Sequence, residues 1–232
     1  MTTLGDKITF DNLIKVARRK GYKVFTNDSR PYNLNIWGIR NDEQQAGKFD
    51  DKLVVFWNTP DHWDGLVFDC TVDPSDHYLL NPIHSLGTAI IKPGQHESIW
   101  QMGKHRGYDA LVQRKPITVI RDFNKDSILD FKPRILTGLT KTIKANNQGG
   151  HTTKWHTAGG ELYHIEDTGY FGINLHRASK WQIVKTIGLY SAGCVVIQDP
   201  KKYERLINIC KSAVANWGNS FTFTLITKKD LI

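Results

Sequence analysis

Two runs decide how this chain is read: Phe171-Gly172-Ile173-Asn174-Leu175-His176-Arg177-Ala178-Ser179 and, further on, Ser191-Ala192-Gly193-Cys194-Val195-Val196-Ile197. Each combines a short apolar stretch with a polar or glycine-containing turn, so the spacing predicts strands over 169–176 and 195–198. Cys194 stands where the glycine turn feeds the second strand. Such a turn exposes a sulfur and frees backbone N–H groups, here those of Gly193 and Cys194, that can hold the oxyanion of a tetrahedral intermediate. A thiol needs a base or a positive neighbour to become a nucleophile near neutral pH. His176, at the end of the first strand, is the candidate base. Asn174 lies on the same strand face and is placed to orient the imidazole, while Arg177 offers a cation for a substrate carboxylate.

Outward from these runs, apolar segments bounded by Gly, Pro, Asn and Asp predict further strands over 34–40, 52–57, 65–72, 88–91, 110–113, 117–121, 162–165 and 221–227. Two segments read as helices. Phe10, Leu13, Ile14, Val16 and Ala17 have helical spacing, with Gly21 as the stop. The second runs from Pro200 to Trp217, with Asp199 as N-cap, Pro200 in the first turn and Gly218 after the end. The class is mainly β with packed helices. A turn over 27–31 is the one internal boundary, giving an N-terminal helical segment, 1–30, and a main domain, 31–232.

Three cysteines cannot all pair within one chain, which argues against a disulfide scaffold. Cys210 falls in the apolar helix stripe of Tyr203, Leu206, Ile207, Val214 and Trp217. Cys70 shares strand parity with Leu66, Phe68 and Val72, so both read as core fillers. With 40% hydrophobic and 23% charged residues the chain is not of the disordered class. The net charge of +8 favours anionic partners, including envelope polymers. No apolar run has the length of a signal peptide or a membrane span. The expectation is therefore synthesis in the cytoplasm, no membrane insertion, and export by another route if the substrate lies outside.

The pair of runs resembles the catalytic domain of the L,D-transpeptidases: a His, about fourteen intervening residues, then Ser/Thr-x-Gly-Cys. His176 and Ser191-Ala192-Gly193-Cys194 reproduce it with fourteen residues between His and Ser, and the match covers 169–198. The resemblance implies an L,D-transpeptidase-like β-sandwich over 31–232, no cofactor, and peptidoglycan stem peptides as substrate. It makes Cys194 the acyl-accepting nucleophile, His176 the general base and acid, Gly193 part of the oxyanion turn and Ser191 a pocket or hydrogen-bonding residue that serves the substrate site. Family members usually carry Gly after the His and Arg two positions after the Cys, where this chain has Arg177 and Val196. Hydrolysis by water therefore stands beside transpeptidation, and a phage lysin acting at the bacterial wall fits the pattern. The alternative is an inactive structural or wall-binding phage protein with the same fold.

Other constellations are weaker. Gly103-Lys104-His105-Arg106-Gly107-Tyr108 is a basic loop whose His105 could line a substrate groove, although such loops are commonly plain surface turns. The run from Arg121 to Asp130 has oxygen side chains at alternate positions, like a calcium loop. Ser127 replaces its glycine and Pro133 its final acid, so a hydrogen-bonded turn is the better reading. His151, His156 and His164 fit no zinc template. Trp37, Trp57 and Trp63 lie in strand-like context, which points to the core rather than to stacking on nucleic acid.

Overall fold

The computed structural model describes residues 8–43, 45–131 and 138–231. Eight strands close into a barrel: β1 (Asn35–Arg40), β2 (Asp51–Asn58), β3 (Trp63–Thr71), β5 (Gly94–His105), β6 (Tyr108–Gln113), β11 (Leu175–Arg177), β12 (Val195–Ile197) and β13 (Phe221–Thr227). Around the barrel their order is β1-β13-β5-β6-β11-β12-β3-β2. The other five, β4 (Thr88–Ile91), β7 (Ile117–Asp122), β8 (Thr140–Ala145), β9 (His151–His156) and β10 (Leu162–Gly169), form a second sheet in the order β4-β7-β10-β9-β8. The class is mainly β with packed helices, as the sequence reading expects, but the larger sheet is closed rather than an open layer.

Helix α3 (Pro200–Trp217) begins where the Asp199 carboxylate accepts the N–H groups of Lys201 and Lys202, and stops at Gly218. Its stripe of Tyr203, Leu206, Ile207, Cys210 and Ala213 joins the main core with Leu53, Val55, Cys70, Trp100, Leu175 and Val195. Cys70 and Cys210 are thus core residues, as their periodicity indicates. Ala89, Ile91, Ile117 and Val119 bring the second sheet into the same core.

Helix α1 (Phe10–Lys20) is capped by the Thr9 hydroxyl and ends at the left-handed Gly21. Its Leu13, Val16 and Ala17 pack on Trp37, Ile39, Val54, Phe56 and Ile226 of the barrel. That cover explains why β1, β2 and β13 are buried on both faces. The expected N-terminal segment therefore packs on the barrel wall; its residues 1–7 lie outside the described residues.

Several strands depart from the sequence reading. β5, β8 and β9 are unforeseen because Gly94–His105, Thr140–Ala145 and His151–His156 are rich in polar side chains, and β8 is exposed throughout. The strand expected over 169–176 is divided: β10 ends at Gly169 and β11 starts at Leu175, with Gly172 left-handed between them. A short helix, α2 (Asp76–Leu80), also goes unannounced.

One buried charge braces the structure next to the seam of the two sheets. Arg40 at the end of β1 is wholly buried; Nη2 donates to the Ile91 carbonyl at 3.0 Å and stands 2.8 Å from Asp73 Oδ1. The approach to Asp73 is a contact of charges without good hydrogen-bond alignment. The guanidinium also lies 4.6 Å from the Phe131 ring centre. Removing one member of such a pair leaves the other charge buried without compensation. Arg40→Ala is expected to lower the unfolding free energy by about 3–5 kcal/mol in urea denaturation, and Arg40→Met by less.

Candidate active site

β11 and β12 run parallel, with Leu175 opposite Val195, His176 opposite Val196 and Arg177 opposite Ile197. Val195 N–H donates to the Asn174 carbonyl and Ala178 N–H to the Ile197 carbonyl, both at 2.9 Å. Side chains alternate across a strand, so Leu175, Val195 and Ile197 enter the core while Asn174, His176 and Cys194 take the opposite face. Residues eighteen positions apart in sequence, His176 and Cys194, thereby fall on one side of the sheet.

The turn that presents Cys194 is tightly packed. Gly193 has φ 123°, and a Cβ there would lie 2.5 Å from the Ala89 carbonyl oxygen, so only glycine fits. Ser191 is fully buried. Its hydroxyl lies 2.9 Å from both the Asp73 and Cys194 carbonyls and accepts the Gly193 N–H at 3.2 Å, while its carbonyl accepts the Ser75 N–H. Ser191 is the pin of the turn, the hydrogen-bonding one of its two expected roles. The Gly193 N–H is likewise used internally, which corrects its expected place in an oxyanion site. Among the described residues the Cys194 N–H has no acceptor, and it is the turn's available donor.

Cys194 is a half-buried residue. Its sulfur lies 3.4 Å from the Gly172 carbonyl, which can accept its proton, and receives the Asn174 N–H at 3.5 Å. Burial pushes the thiol above its ordinary pKa, with the Asn174 N–H and the Arg106 charge opposing. A depressed thiol, the usual reading for a reactive cysteine, is not what this environment produces.

His176 is 3% exposed. Its Nδ1 lies 2.8 Å from the Arg177 carbonyl, an acceptor only, so Nδ1 carries the proton and Nε2 is the basic nitrogen. The Tyr108 hydroxyl lies 3.4 Å from Nδ1 and from the same carbonyl. Burial lowers the imidazole pKa to about 4, against the Arg177 carbonyl and reinforced by His105, Arg106 and Arg177.

Asn174 orients a different ring from the one expected. Its Oδ1 accepts the Gln113 N–H at 2.9 Å and its Nδ2 faces His105 Nδ1 at 3.2 Å. The group that orients His176 is the Arg177 backbone carbonyl, which no side-chain pattern reveals. The Arg177 guanidinium lies 3.8 Å from the Tyr108 ring centre and borders a groove of 290 Å³ with Asp109, Tyr203 and Lys211. His105, read from its loop as a substrate contact, stacks on His176. Tyr108, in the same loop, belongs to the site but was not singled out.

A cleft of 260 Å³ reaches the turn from the side of the second sheet, lined by Tyr78, His84, Tyr170, Phe171, Ile173 and Ala192. Phe171 and Ile173 flank Gly172, whose carbonyl meets the sulfur, but neither Cys194 nor His176 lines this cleft. Among the described residues no three His, Cys, Asp or Glu side chains gather as a metal site. Asn124 Nδ2 instead donates to Asp126 and Asp130, making a hydrogen-bonded turn of the calcium-like run; Pro133 lies outside the described residues. Comparison with protein-family models, curated proteins and solved structures gave no match.

With the thiol pKa raised and the imidazole pKa lowered, both groups are neutral between about pH 5 and 8. Thiolate then accumulates only as pH climbs toward the thiol pKa. Cys194 alkylation by iodoacetamide, followed by mass spectrometry, should accelerate about tenfold per pH unit and still be rising at about pH 9. A plateau below about pH 7 would show a resting thiolate–imidazolium pair instead.

Proposed function

We propose that this chain is a cysteine acyl-transfer enzyme of the L,D-transpeptidase type, acting on stem-peptide bonds of bacterial peptidoglycan. The observation that carries the reading is the parallel pairing of β11 with β12, by which His176 and Cys194 fall on the same side of the sheet. The family's two-layer β fold belongs to the same proposal. The charge of +8 suits a polyanionic wall.

In this mechanism His176 Nε2 takes the Cys194 proton as the sulfur attacks the scissile carbonyl. The imidazolium that forms keeps its Nδ1–H bond to the Arg177 carbonyl. The Cys194 N–H donates to the oxyanion. The imidazolium then protonates the departing amine, leaving a thioester that water or a second amine resolves. Hydrolysis is the favoured outcome, since Arg177 and Val196 replace residues usual in the transpeptidases.

A second reading, a wall-binding protein without catalysis, draws on the sulfur's contact with the Gly172 carbonyl and its raised pKa. Incubation with purified peptidoglycan and mass analysis of released fragments separates the two. The wild type should release peptide fragments, Cys194→Ala none, and His176→Ala about 10²–10⁴-fold less. Circular dichroism of Cys194→Ala should match the wild type. Equal release by wild type and Cys194→Ala rejects the assignment, while wall binding by the wild type without products favours the second reading.

A further inference from the structure

The two imidazoles of the site lie face to face, with ring centroids 4.2 Å apart and planes inclined by 10°. His105 ends β5, immediately before the turn at Arg106 and Gly107 (φ 47° and 87°) that leads into β6. Its ring is held by more than the stack. Tyr108 meets it edge-on at 5.6 Å, and the Asn174 amide stands at its Nδ1. That amide cannot turn over, because its Oδ1 is needed by the Gln113 N–H. The amide nitrogen must therefore donate to His105 Nδ1, which puts the His105 proton on Nε2. The two rings thus hold opposite tautomers, each fixed by one hydrogen bond from outside the pair.

We propose that His105 is a positioning residue: oriented by Asn174, its imidazole fixes the ring plane of His176 and shields that base from water, so that Nε2 is held ready for the thiol proton. This rests on the reading of His176 as the general base. A contact of His105 with substrate, the role its loop suggests, would leave unexplained why the amide of Asn174 is spent on it.

The charges around His176 explain what the shield does. The β5–β6 hairpin contributes His105, Arg106 and Tyr108; β11 contributes Arg177; the turn into β12 contributes Cys194; α3 contributes Tyr203, edge-on behind Tyr108. The cations in this set are Arg106 and Arg177. The nearby carboxylate, Asp109, is engaged by Lys104 at 2.6 Å and by Lys211 at 2.8 Å. Protonation of His176 at rest is therefore opposed by two guanidiniums and by the covering ring. Removing that ring admits water and lets the imidazole charge at a higher pH.

The test is an NMR titration of the histidine Cε1–H signals in the full chain. In the wild type, His176 should titrate near pH 4. In His105→Ala the midpoint should rise by about one pH unit or more, whereas His105→Phe, which restores a flat cover, should stay within about half a unit of wild type. An unchanged midpoint in His105→Ala overturns the proposal, as does a His105→Phe midpoint equal to that of His105→Ala. Should His105→Ala fail to fold, imidazole ¹⁵N shifts of the wild type decide the matter. Protons on Nε2 of His105 and Nδ1 of His176 are required, and the reverse assignment overturns it. None of these readouts needs a substrate. Failure to cleave peptidoglycan with the expected titrations would remove the substrate assignment alone, and cleavage without them would remove the role of His105.

Discussion

The parallel pairing of two three-residue strands, Leu175–Arg177 and Val195–Ile197, is the seam on which the rest of the structure depends. It joins β6 on one side to β3 on the other, where Leu175 meets Leu111 and Ile197 meets Cys70, and so closes the barrel. The same seam decides the chemistry. A slip of one residue in either strand would turn His176 or Cys194 into the core and bring an aliphatic side chain to the surface. Leu175, Val195 and Ile197 enter the main core, while Val196, buried as fully, stands on the side of His176.

The sulfur is supported from behind by polar groups that have little freedom. Ser191 ties the turn to the Asp73 carbonyl and Ser75, and the Asp73 carboxylate faces the buried Arg40. Gly193 lies so close to Ala89 that the second sheet acts as the back wall of the turn. On the other side, the β5–β6 hairpin lays His105 and Tyr108 over His176. Cys194 is thus positioned by backbone packing and His176 by stacked rings. Both are neutral at rest, because burial disfavours charge on each of them.

Much of this was legible in the residues. The α3 stripe, the Asp199 cap and the Gly218 stop located that helix because each is a local requirement of helical backbone. Strand parity located Cys70, and the exceptional surroundings of Cys194 separated it from its two buried counterparts. The strands that escaped notice, β5, β8 and β9, carry polar side chains that hide the apolar alternation; β5 pairs with the distant β13, while β8 and β9 form a hairpin with each other. Ser191 resembles a pocket residue in sequence, yet its hydroxyl is consumed by the turn it belongs to.

By itself the sequence determined the secondary-structure class and the two long helices, and it singled out Cys194 and His176 as a candidate pair. These follow from periodicity, capping and glycine turns, which act within a few residues. Only the tertiary structure decided that the barrel closes, that the Arg177 carbonyl rather than Asn174 orients His176, and that Asn174 serves His105 instead. Those outcomes depend on which strands become neighbours and on which donors and acceptors survive burial. Such contacts join residues as far apart as 105 and 174, and a linear pattern does not encode them.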